Sequence, residues 1–187
     1  MGTSSAEELF SWLSTRKVED IVIPGYIDRT LHEEKPFLNV WNTSLYVVTD
    51  DGMLRIEDRR AHGRLHVSRT DDLNDAEQDL DERVLNREYG EEFMPVSLEW
   101  QLLADGRDFN TLTRARYAAG PASSPQQGVV DCLELIFDDC CCLFVASEWD
   151  GLSIGTHGAF DRWTEYLHED PESLHRQVEW IPPTHAH

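Results

Sequence analysis

The chain has 187 residues with 36 acidic and 16 basic side chains, so its formal charge is 16 − 36 = −20. At 40% hydrophobic and 10% aromatic it can bury a core, which excludes a disordered acidic chain. So negative a field repels phosphate, which argues against direct binding to nucleic acid or docking on an anionic membrane.

In chain order, Ser4-Ser5-Ala6-Glu7-Glu8 holds two overlapping capping boxes ahead of Leu9, Phe10, Trp12 and Leu13, which predicts a short amphipathic helix. Residues 1–11 lack a basic segment followed by an apolar one, so no secretory leader is expected. The β-branched run Val18–Ile23, stopped by Pro24-Gly25, predicts a strand. Three further runs, 37–41, 45–49 and 53–57, are separated by turn residues and predict a three-stranded meander. Its second turn, Asp50-Asp51-Gly52, carries the Asp-Gly pair that suits the positive φ of a tight hairpin.

Residues 71–89 place Leu73, Ala76, Leu80, Val84 and Leu85 at three- and four-residue steps, which predicts a helix closed by Gly90. Next, Val96, Leu98, Trp100 and Leu102 alternate with polar residues and predict a strand with those four inward. Another strand is expected at 111–117, then a loop at 120–128 rich in Gly, Pro and Ser. A second meander follows from 132 to 154, then a helix near 160–168 and a last strand at 178–181. Residues 45–56 and 143–154 align without gaps, matching at Leu, Val, Leu and Ile. The expected fold is therefore α+β, with two similar antiparallel β-meander-plus-helix halves, 1–94 and 95–187, packed into one compact unit.

The four cysteines are Cys132, Cys140, Cys141 and Cys142. Adjacent strand positions point to opposite faces, so the triplet is read as small hydrophobes in a strand, with a bridge from Cys132 as the alternative. The thiols sit in an apolar, acid-flanked strand, where the thiolate is disfavoured. The cytoplasm is the expected compartment.

No nucleophile elbow, phosphate loop, dinucleotide fingerprint or zinc-spaced Cys/His set is present, and no catalytic residue is assigned. Seven carboxylates fall within residues 71–82, and their spacing fails the calcium-loop pattern. Of these, Asp71, Asp72, Asp75, Asp79 and Glu82 are the candidate docking residues for a basic partner, because such a face steers an oppositely charged molecule. Trp149, in a turn where an aromatic is hard to bury, joins them; Trp41 and Trp163 are further candidates for an aromatic patch. His62 and His157 each precede a glycine after a third strand, and a pseudo-two-fold would bring them together as ligands for a divalent metal. Otherwise no cofactor is expected.

The leading expectation is a non-enzymatic acidic bacterial protein-binding module that neutralises or docks a basic partner. In size, acidity and lack of catalytic motifs it is similar to the small immunity proteins that neutralise basic toxins, a likeness of overall character that rests on no motif. The alternatives are a small metal- or ligand-binding enzyme with its pocket between the halves, and a structural subunit of a homo-oligomer joined through sheet edges.

Overall fold

The computed structural model describes residues 4–29, 36–59, 63–103, 106–168 and 175–183. The fold is α+β. Among the described residues it has four helices and fourteen strands in three antiparallel sheets.

Helix α1 (Ala6–Leu13) starts on a capping box: Ser5 Oγ accepts the Glu8 amide at 3.2 Å, and Glu8 accepts the Ser5 amide at 2.8 Å. Strand β1 (Val18–Ile23) ends at Pro24, and β2 (Gly25–Asp28) and β3 (Phe37–Val40) follow. The strands β4 (Ser44–Thr49), β5 (Gly52–Arg59) and β6 (Arg64–Thr70) lead into α2 (Asn74–Arg83). After β7 (Glu92–Phe93) and β8 (Val96–Ser97) comes a single helical turn, α3 (Glu99–Leu102). Then come β9 (Leu112–Ala119), β10 (Val129–Val130), β11 (Cys132–Phe137), β12 (Cys141–Glu148) and β13 (Gly151–Gly155). The chain closes with α4 (Ala159–His168) and β14 (Arg176–Trp180).

The six-stranded sheet runs β10-β6-β5-β4-β1-β8 and the five-stranded sheet β13-β12-β11-β9-β14. They share one core. Leu45, Val47, Leu54, Ile56, Leu65 and Val67 of the first sheet meet Leu133, Leu135, Phe137, Leu143 and Val145 of the second, all at most 1% exposed. Phe10 of α1 enters the same core between Tyr117 and Trp180, with ring centroids 6.0 and 5.9 Å away. On the outer face of the second sheet, Phe160 of α4 covers Ala118, Cys132, Phe144 and Ala146.

Some local expectations are revised by tertiary pairing. The run at 37–41 is not the first strand of a meander: β3 pairs with β2 in a separate sheet ordered β3-β2-β7, and the meander is β4-β5-β6. Alternation at 96–102 breaks after Ser97, whose hydroxyl accepts the Glu99 amide at 3.3 Å and starts the helical turn. Positions 98 and 102 then share an inward face, while Trp100 swings out to 77% exposure. Helix α2 is shorter than the apolar spacing implied. It stops where Val84 takes φ −133°, and a separate 3₁₀ turn, Arg87–Tyr89, ends on Gly90 at φ +75°.

Although β8 and β10 lie beyond residue 94, both complete the first sheet, so the two halves interleave. The aligned stretches 45–56 and 143–154 correspond to the hairpins β4–β5 and β12–β13. Any two antiparallel hairpins share that much, and a duplication is not confirmed. No helix among the described residues is long and apolar enough to cross a membrane.

Candidate functional site

The outer face of the first sheet carries a polar layer instead of an apolar one, because β4, β5 and β6 alternate. Their inward residues are aliphatic, and their outward residues include Ser44, Tyr46, Arg55, Glu57, His66 and Ser68. Cross-strand register sets Tyr46 beside Arg55 and Glu57 beside His66. Arg55 reaches both ways, from Nη2 to Glu57 at 2.7 Å and from Nη1 to Asp75 on α2 at 3.0 Å. Glu57 continues the string to His66 Nδ1 at 3.0 Å. Tyr46 is wholly buried, and burial is the main cause that raises its phenol pKa, opposed by the Arg55 charge. Its hydroxyl and the Arg55 Nε–H are buried with no hydrogen-bond partner among the described residues.

Helix α2 lies over this layer, with Ala76 and Leu80 buried. A cleft of about 530 Å³ opens beside it, walled by Trp41 and Thr43 and lined by Glu57, Asp58, Asp75, Asp79 and Glu82. Among the described residues Arg55 and Arg83 are its two cationic side chains, so their lining charge is 2 − 5 = −3. Trp41 Nε1 donates to Asp79 Oδ2 at 3.4 Å, tying the 41–43 loop to the helix. A second hollow of about 860 Å³ adjoins across Arg55 and Asp75, and Asp71 and Asp72 line it with His66 and Ser68.

The sequence-derived acids are thus distributed over two neighbouring hollows. They are also partly neutralised from within. Asp75 pairs with Arg55, Asp79 with Arg83 at 2.6 Å, and Glu77 and Asp81 with Arg87 at 2.9 and 2.8 Å. Asp72, just ahead of the helix, accepts the Asn74 amide at 2.9 Å. Glu82, which accepts from the Gln78 amide group at 2.9 Å, is solvent-facing.

Trp149 stands at the β12–β13 turn and is 99% exposed. The turn end of this hairpin packs on the 41–43 loop: Leu152 N–H donates to the Asn42 carbonyl at 2.7 Å. A Cβ on Gly151, at φ +135°, would sit 2.5 Å from Asn42 Oδ1, so only glycine fits there. Ser147 of the same hairpin donates to Asp58, and the Asp58 amide donates to the Thr43 carbonyl at 2.8 Å. Loop 41–43 therefore joins the Trp149 hairpin to the cleft, and two features read independently from the sequence belong to one surface. Trp163 is elsewhere, on α4 itself, packed against the cluster around Phe144 and Phe160 with its ring edge-on to His175 at 6.1 Å.

His157 is exposed, with Nε2 3.0 Å from the Cys140 carbonyl oxygen. His62, its proposed partner at a metal, lies outside the described residues. Among the described residues no group of three or more His, Cys, Asp or Glu side chains is placed to hold a metal ion. All four cysteines are free thiols. Burial raises the pKa of each inner one, Cys142 to about 12 and Cys132 further still, as expected for an apolar strand.

Sequence reasoning missed Arg55, Glu57 and Arg83 as parts of the site. Alternation in β5 was the available signal, since it puts Arg55 and Glu57 on one face. No protein-family model, curated protein or solved structure matches this chain.

Proposed function

We propose that this protein is a non-enzymatic binding module that holds a basic segment of a partner protein in the acidic cleft beside α2. The observation that carries the reading is the meeting of five carboxylates around one cleft with a fully exposed tryptophan on the adjoining hairpin. A net charge of −20 steers a basic partner inward, and the exposed Trp149 supplies apolar contact area. Arg55 and Arg83 limit self-repulsion in the cleft, whose lining still carries more carboxylates than cations among the described residues. Four free thiols suit a reducing compartment, and we place the module in the cytoplasm.

The test is a fluorescence-anisotropy titration with a short Lys/Arg-rich peptide and its Glu-rich counterpart. Binding of the basic peptide alone, weakening as salt rises, is expected. Combining Asp79→Lys with Glu82→Lys should weaken it at least ten-fold, about 1.4 kcal/mol, while Glu7→Lys on α1 leaves it unchanged. Equal affinity across these variants, each checked for folding by circular dichroism, refutes the proposal.

A further inference from the structure

We propose that Cys140 and Cys141 form a vicinal dithiol site that takes a thiophilic species of the trivalent-arsenical class through both sulfurs. Successive side chains in an extended strand diverge to opposite faces, which would hold two adjacent thiols apart. Here the alternation is broken. Asp138 and Asp139 both adopt left-handed backbone, at φ +50° and +57°, and Cys140 N–H closes the turn on the Phe137 carbonyl at 3.1 Å. Cys140 therefore belongs to the turn and Cys141 to the first position of β12, and their sulfurs meet at 3.8 Å. This revises the expectation from sequence that the cysteine triplet simply fills a strand.

The turn is held, and the pair with it. Left-handed backbone is uncommon at a residue with a side chain, even aspartate, and two in succession call for support from neighbours. Arg107 pairs with Asp138 at 3.0 Å, the Asp138 amide donates to the Thr111 carbonyl at 2.9 Å, and the Asp139 amide donates to Thr113 Oγ1 at 3.2 Å. A dithiol pre-set in this way loses little freedom on chelation. From 3.8 Å the two sulfurs need to close only slightly to share one pyramidal arsenic(III) atom. Cys140 is exposed and Cys141 half-buried, whereas Cys132 and Cys142 are at most 2% exposed.

The chemistry of the pair narrows the ligand class. Described residues supply no third ligating side chain, which suits a species satisfied by two sulfurs better than a closed four-ligand zinc site. Burial, then the neighbouring Cys140, pushes the Cys141 thiol up to about 11, so ions that need two standing thiolates are disfavoured at neutral pH. An arsenic(III) oxide avoids that requirement. Two S–H bonds break, two As–S bonds form, and the oxide oxygen leaves as water carrying both protons, with no change of oxidation state. The site lies at the opposite end of β12 from Trp149 and does not depend on the acidic cleft.

The experiment treats the reduced full-length chain with phenylarsine oxide and reads intact mass in the presence of excess glutathione. One adduct is expected, equal to one phenylarsine oxide less one water, that resists glutathione and is released by dimercaptopropanol. Cys140→Ser and Cys141→Ser should each abolish the glutathione-resistant adduct, and Cys142→Ser should retain it. In the unmutated chain, alkylation followed by peptide mapping should find Cys140 and Cys141 both protected, which removes dependence on how the variants fold. Absence of the adduct, its survival in Cys140→Ser, or protection mapped to other cysteines overturns the proposal.

Discussion

Replacing Arg116 by methionine keeps most of the side-chain stem that lies over Phe160, whose ring centroid is 4.4 Å from Cζ, and removes the guanidinium. Glu134 on the neighbouring strand is 1% exposed, and its Oε2 accepts from Arg116 Nε at 2.5 Å. The remaining described contact of that carboxylate is the Cys142 thiol at 3.4 Å, a weak donor. Removing one partner of a buried ion pair costs about 3–5 kcal/mol. Since the Arg116 side chain is 25% exposed and bonds also to the solvent-facing Asp161, the lower end, about 3 kcal/mol, applies. With a urea dependence of about 2 kcal/mol per molar, the unfolding midpoint should fall by about 1.5 M. The Glu134 and Asp161 bonds raise the guanidinium pKa, so the pair's contribution is present below the guanidinium range and is lost only as pH climbs through it. The deficit in Arg116→Met should therefore be the same at pH 7 and pH 9. Adding Glu134→Met should restore most of the stability, because an apolar pair leaves no buried charge. A loss below about 1 kcal/mol, or a double variant no more stable than Arg116→Met, would refute the assignment.

Phe10→Ala empties the space between Tyr117 and Trp180 at the point where α1 enters the shared core, and should cost about 3–5 kcal/mol in urea unfolding. A cost under about 1 kcal/mol would mean that α1 is an accessory and not part of the core. The buried Cys132 and Cys142 thiols have raised pKa values, so the unfolded state releases their protons first as pH rises. Stability should be unaffected by them below the ordinary thiol range, about pH 8.5, and decline from there toward pH 12. Cys132→Ala with Cys142→Ala should flatten that decline, and an unchanged alkaline slope would show that other groups cause it.

Elements with a local cause were legible in the chain. The capping box of α1, the Pro24 stop after β1 and the Asp-Gly turn before β5 each act through residues a few positions apart. The partner of β3 was not legible, since its pairing with β2 depends on Pro24 redirecting the chain and on nothing within 37–41 itself. Trp100 was misplaced for a related reason: a switch from strand to helical turn at Ser97 changes the face of every later residue. For the site, composition alone marked the acidic run at 71–82 and the turn tryptophan Trp149. That they adjoin was decided by loop 41–43, which bonds to Asp79 on one side and to the β12–β13 hairpin on the other. The cysteines divide in the same way. Apolar strand spacing predicts that Cys132 and Cys142 are buried, but only the three-dimensional turn, with two aspartates held left-handed, brings the sulfurs of Cys140 and Cys141 to 3.8 Å. Sequence determines what a residue's near neighbours can enforce through backbone sterics, capping and alternation. Which distant surfaces meet is settled by burying the faces of two sheets against each other, a condition that no short segment carries.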